Sequence, residues 1–126
     1  MHRAVLIAAL VAACGVDPSD DDRPKTLEYV TRAILAPSCG NAQCHSSFRQ
    51  AANRAFDTVE RACESMLERE DVQPTQGEDS RLYTVLIRTI DRMPYDQPLP
   101  EVDQQLIKNW IDEGAVGLPA TAEECP

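Results

Sequence analysis

No apolar run in this 126-residue sequence is long enough to cross a bilayer. The longest, from Ala4 to Ala13, falls well short of the ~20 residues that a spanning helix needs. Basic residues are also scarce: 12 Lys and Arg stand against 21 Asp and Glu, for a net charge of −9. Such an acidic balance argues against nucleic acid as a partner and against charge-driven binding to anionic membrane. It suits partners with basic surfaces. Histidine occurs only as His2 and His45, and Trp110 is the sole tryptophan. Paired carboxylates, a nucleophile beside a base, and a glycine-rich phosphate loop are all missing, so no catalytic residue is assigned and no enzyme is expected.

The apolar run does suit export. Arg3 supplies a positive start, and Met1–Ala13 has the length of a secretory signal, whose apolar core needs only ~7–15 residues. Its end, Leu10-Val11-Ala12-Ala13-Cys14, looks like the lipobox of bacterial lipoproteins. In that reading residues 1–13 are removed and the Cys14 thiol receives the lipid, leaving the chain exported and held at the cell envelope, on its periplasmic or outer-membrane face. The plain alternative is an ordinary signal peptide with an unmodified Cys14. Cleavage leaves about 113 residues, enough for one small domain. Residues 14–25 then form an acidic tether, because Val16–Pro24 (VDPSDDDRP) has the composition of unfolded chain. The folded domain is expected over residues 26–126.

Once the signal is gone, His45 is the one remaining histidine, and it directly follows a cysteine in Cys39-Gly-Asn-Ala-Gln-Cys44-His45. Two thiols followed by a histidine read as a site of covalent haem attachment, usually spaced C-x-x-C-H. The thiols would add to the haem vinyl groups as thioethers, and the imidazole would become the proximal iron ligand. Here the cysteines stand two residues further apart than usual. The bland alternative places Cys39 and Cys44 in disulfides and makes His45 incidental. A metal site of Cys39, Cys44 and His45 lacks an evident fourth ligand.

Around this motif the periodicity is helical. Leu27, Val30, Ile34 and Leu35 predict a helix from Lys25 to Pro37, with Thr26 as N-cap. A long helix is predicted from Phe48 to Glu70, with Cys63 and Met66 on its apolar stripe. Asp71–Asp79 reads as a loop, and Ser80–Asp91 as a short helix capped by Ser80. Asp91–Pro100 (DRMPYDQPLP) carries three prolines and reads as a stiff extended loop with Met93 at its mouth. Met93 could offer its thioether to iron or simply anchor the loop. A last helix is predicted from Glu101 to Glu113, with Trp110 in the core and Gly114 as its stop. Cys63 and Cys125 pair if haem takes Cys39 and Cys44; without haem, the four cysteines leave three connectivities open.

These pieces follow one order: a helix running into C-x4-C-H, a Ser-x-Leu-Tyr helix, an Arg-Met-Pro loop, and a helix ending Asn109-Trp110-Ile111-Asp112-Glu113-Gly114-Ala115. Over about Thr26 to Ala115 the chain resembles the c-type cytochrome domains of bacterial secreted proteins, notably the planctomycete-type cytochrome c family and related myxobacterial lipoproteins. The resemblance implies an all-α, cytochrome c-like domain of about four helices with long irregular loops. It implies haem c on Cys39 and Cys44, His45 as proximal and Met93 as distal iron ligand, and single-electron exchange with redox partner proteins. The x4 spacing departs from that family and requires the extra residues to bulge. The competing expectation is a haem-free, disulfide-stapled envelope lipoprotein with a structural or partner-binding role.

Overall fold

The computed structural model describes residues 21–126. The architecture is all-α: four helices joined by long irregular segments, with no strand among the described residues. Cys14 and the signal-like segment lie outside the described residues.

The first helix, α1, is continuous but not uniform. It comprises an α turn (Leu27–Tyr29), a π-helical stretch (Val30–Leu35) and a last α turn (Ala36–Ser38). Thr26 caps it as expected, its hydroxyl accepting the Tyr29 N–H at 3.2 Å. Leu27, Val30, Ile34 and Leu35 are all buried. Pro37 does not end the helix as predicted. A proline lacks the N–H for the ladder, and its ring crowds the carbonyl four residues back. The wider π register just before it, in which the Ala36 N–H reaches Thr31 O, makes that room. The chain therefore carries on one residue further and drives Cys39 inward, where its N–H bonds Leu35 O at 2.7 Å.

The predicted helix over Phe48–Glu70 is corrected: only Val59–Glu68 is helical, and we call it α2. Thr58 sets its start, accepting the Arg61 N–H at 3.2 Å. Upstream, Gln50, Ala52 and Asn53 take positive φ values of 48°, 53° and 55°, so no helix can run through them, and Phe48 is 94% exposed. Cys63 and Met66 do lie in the core.

Helix α3 spans Arg81–Ile87, four residues shorter than the predicted end at Asp91. Ser80 precedes it without capping it. Its hydroxyl instead accepts the Gln73 N–H and donates to Gln76 O, stitching up the loop before the helix. Leu82 and Leu86 are buried, but Ile90 stands exposed. The chain reverses at Asp91, and the Met93 N–H takes the Val85 carbonyl left free by the helix end, at 2.8 Å.

Helix α4 spans Glu101–Asp112 and ends at a glycine, as predicted. Gly114 takes φ +100°; its N–H bonds Ile111 O, while the Ala115 N–H bonds Trp110 O. That pair of bonds is the Schellman closure. Trp110 is fully buried, and its indole N–H donates to Val116 O. Together α1, α2 and α4 bury Leu27, Leu35, Met66, Leu106, Ile107 and Trp110 in one core. The tail returns to this core through a Cys63–Cys125 disulfide. At the other end, Arg23 of the expected tether is pinned: its guanidinium bonds Asp103 at 2.6 Å and Val102 O at 3.2 Å.

Candidate functional site

The Cys39–His45 loop closes on itself. The Cys44 N–H bonds Asn41 O, the Gln43 N–H bonds the Asn41 side-chain oxygen, and the His45 N–H bonds Cys39 O at 2.9 Å. The extra residues between the cysteines are thus absorbed in an Asn41 turn, and Cys39 is joined to His45 by a backbone bond. Gly40 lies so close to the chain that a Cβ there would meet the Asp57 Cα at 2.8 Å and Ala36 O at 2.9 Å. No side chain fits at that position. Asp57 also accepts the Ser47 N–H and hydroxyl, at 2.7 and 2.8 Å, and so holds the loop from its far side.

His45 is fixed by the residues that the helical periodicity misassigned. Its Nδ1 lies 2.7 Å from Ala51 O, and a carbonyl can only accept, so Nδ1 carries the proton. In the neutral ring this leaves the lone pair on Nε2. The ring also meets Phe56 edge-on, centroids 5.3 Å apart. A histidine whose second nitrogen is held by a backbone carbonyl is in the arrangement used by metal-ligating imidazoles.

Met93 comes to the same place from the other side of the sequence. Cys39, His45, Ala52 and Met93 all line two adjoining lobes of one cleft. The smaller lobe, about 100 Å³, runs between Leu35, Phe56, Leu82 and Leu86. The larger, about 220 Å³, holds Cys44 and the Met93–Asp96 segment. Met93 is 38% exposed, in keeping with a position at a cleft mouth. The two lobes together match only the smaller ligand pockets, of ~300 Å³.

Cys39 and Cys44 are both free thiols, while Cys63 and Cys125 are bonded to each other. Burial, with the neighbouring Cys44 adding to it, pushes the Cys39 thiol up to about 12. It is a neutral thiol at ordinary pH rather than a ready thiolate. Among the described residues no three His, Cys, Asp or Glu side chains converge to hold a metal ion. The three-residue metal site weighed from the sequence therefore does not assemble.

One feature of the cleft had no signal in the sequence. Asp71, 2% exposed, accepts two bonds from Arg54, at 2.6 and 2.7 Å. Arg81 stands 3.9 Å from the same carboxylate, and Arg54, Arg81 and Arg88 all line the smaller lobe. Arg92, next to Met93 in sequence, has its Nε buried without an acceptor.

The donor set fits a covalently held haem. Two free thiols and an imidazole with an open Nε2 stand on one segment, a thioether lines the same cleft, and apolar side chains line its depth. The volume of the two lobes is smaller than a group of that size needs. Among the described residues no helix is long and apolar enough to cross a membrane. Comparison with known proteins finds no matching family model, no matching curated protein and no matching solved structure.

Proposed function

We propose that this chain is a lipid-anchored c-type cytochrome that moves single electrons between redox partner proteins at the cell envelope. The observation that carries the reading is His45: its Nδ1 is tied to Ala51 O while its ring lines a cleft shared with Met93 and both free thiols. Cys39 and Cys44 would hold haem c as thioethers, His45 would give its Nε2 to iron, and Met93 its sulfur. When bound, the group supplies one-electron redox chemistry at iron. The chain's own part is to fix the two ligands, exclude water with Leu35, Phe56, Leu82 and Leu86, and leave one edge open for a partner. His45 and Met93 would both be taken up in holding the group, which suits a carrier better than an enzyme.

A haem-free, disulfide-held envelope module is the second reading, and the small volume of the cleft favours it. The two are separated by expressing the chain with c-type maturation machinery and staining for haem on a denaturing gel, backed by a pyridine haemochrome spectrum. Covalent haem is the expected result; its absence beside a working control cytochrome overturns the proposal. In the haem-loaded protein Met93→Ala should remove the long-wavelength Met–iron band of the oxidised form. C14S should move the chain from the membrane to the soluble fraction.

A further inference from the structure

The chain enters the domain along α4. Arg23 bonds Asp103 and Val102 O in the first turn of that helix. Lys25 reaches Glu113 past its last turn, at 3.6 Å, and the Leu27 N–H bonds Val116 O beyond it. Followed backwards, the described residues therefore end at Asp21 beside the start of α4, where the Asp21 carboxylate grips the same Arg23 guanidinium at 2.6 Å. Asp21 stands seven residues after Cys14, a reach of at most about 25 Å at full stretch. A domain of ~100 residues has a radius of gyration of about 13 Å. So short a link keeps the Asp21 end of the domain close to whatever holds Cys14.

The same end of α4 receives a loop that carries exposed apolar side chains. Ile90 and Tyr95 are each 77% exposed, and Ile87 is half exposed. Tyr95 stands five residues before Pro100, the N-cap of α4, so at most about 18 Å of chain separates them. The loop is stitched in place: Arg88 Nε donates to Asp91 O at 2.7 Å, and the Met93 N–H to Val85 O at 2.8 Å. Its charges balance, Arg88 and Arg92 against Asp91 and Asp96. In an acidic chain this is a neutral, apolar tip. Resting on the lipid anchor proposed above, we propose that Ile87, Ile90 and Tyr95 sit in the lipid surface that holds Cys14. There the isoleucines leave water, and the tyrosine keeps its hydroxyl among the headgroups. Because the tip is neutral, the contact needs no anionic lipid. The larger lobe of the cleft, which Tyr95 lines, then opens beside the membrane.

The test places the lipidated full chain in vesicles of phosphatidylcholine alone and follows amide hydrogen exchange by mass spectrometry. Thr89, Ile90, Asp91 and Arg92 donate no backbone N–H bond among the described residues, so their amides exchange fast in water. In the vesicles they should slow at least about tenfold relative to C14S in solution. The Val116 and Gly117 amides, equally unbonded at the far end of α4, should keep their rate. I90S/Y95S should stay anchored and regain fast exchange at residues 89–92. Unchanged exchange there in wild-type vesicles overturns the proposal, and so does equal slowing at both ends. Slowing that appears only in native membranes gives the face to a protein partner and overturns it too. Flotation is scored separately: a wild-type chain that does not float with the vesicles has lost the lipid anchor itself, and the proposal falls with it.

Discussion

Replacing Cys125 with serine tests how the shell is held. The bridge joins residues 62 apart in sequence and encloses α3, the Met93 loop and α4. In the chain-entropy account, closing a loop of that length removes about 4 kcal/mol of freedom from the unfolded state. The native state gives some of this back when the bridge is lost. The last turn, Ala122–Glu124, has only local backbone bonds, from Glu124 N–H to Thr121 O and from Cys125 N–H to Ala122 O. Once freed, the tail frays and regains entropy, so a loss of about 2–4 kcal/mol is expected. Against the ~5–15 kcal/mol that holds a typical domain, that is a large share. Urea unfolding of the haem-free protein measures it, with C63A/C125A as a second variant that leaves no unpaired thiol from the bridge. The slope against urea should also rise, because an uncrosslinked chain exposes more surface on unfolding. A loss below about 1 kcal/mol in both variants would refute the reasoning, since the loop entropy would then not reside in this bridge.

Asp71→Asn should cost about 3 kcal/mol in the same assay, because it strands the largely buried Arg54 guanidinium beside an apolar cleft. Adding Arg54→Met should cost less than the sum of the two single changes, and strict additivity would mean that the pair is not coupled. Gln50→Gly should stabilise by about 0.5 kcal/mol, since an exposed residue at φ 48° is relieved of left-handed strain that outweighs the added backbone entropy; a loss would show that the Gln50 side chain matters more than its backbone. Acid should loosen the motif loop. Burial raises the Asp57 carboxyl, but the Ser47 amide and hydroxyl outweigh this and hold it below its ordinary value. The Lys108 ammonium, against the opposing effect of burial, does the same for Asp112. Both lowered groups contribute stability that is complete above the ordinary carboxylate pKa of ~3.9 and is lost as pH falls through their folded values. Melting temperatures followed below pH ~4 should therefore drop less steeply in Asp57→Asn than in wild type.

Helices α1 and α4 were legible in the sequence because their signals are local. Thr26 and Gly114 mark an end of each, and the apolar stripe falls inside each span. The stretch from Phe48 to Asp57 misled because Ala51, Ala52 and Ala55 favour helix on propensity alone. What overrides them is tertiary: the Ala51 carbonyl on His45, the Phe56 N–H on His45 O, and Arg54 on the distant Asp71. A local clue did exist in Thr58, a capping residue followed at once by an apolar and an acidic residue. Four site residues, Cys39, Cys44, His45 and Met93, stood out by type and order. Two others could not. The Ala51 contact is made by backbone, to which sequence is blind, and the Arg54–Asp71 pair that lines the cleft joins residues 17 apart in the chain.

The irregular stretch also bears on which of the two functional readings is better supported. A chain that needed only a helical shell could have continued α2 upstream through Ala51–Ala55, where propensity already favours it. Instead Gln50, Ala52 and Asn53 occupy the left-handed region, at about 1–2 kcal/mol for each residue that is not glycine. That cost must be offset elsewhere. The bonds made there fall on the end of the motif loop: the Ala51 carbonyl meets the His45 ring, the Ala51 N–H takes Cys44 O, and the Phe56 N–H takes His45 O while its ring meets the imidazole. Backbone strain that persists around a single residue points to a demand on that residue. On the proposed cytochrome reading, the demand on His45 is a fixed ring with Nε2 available to iron. A disulfide module has no use for that. An iron site does.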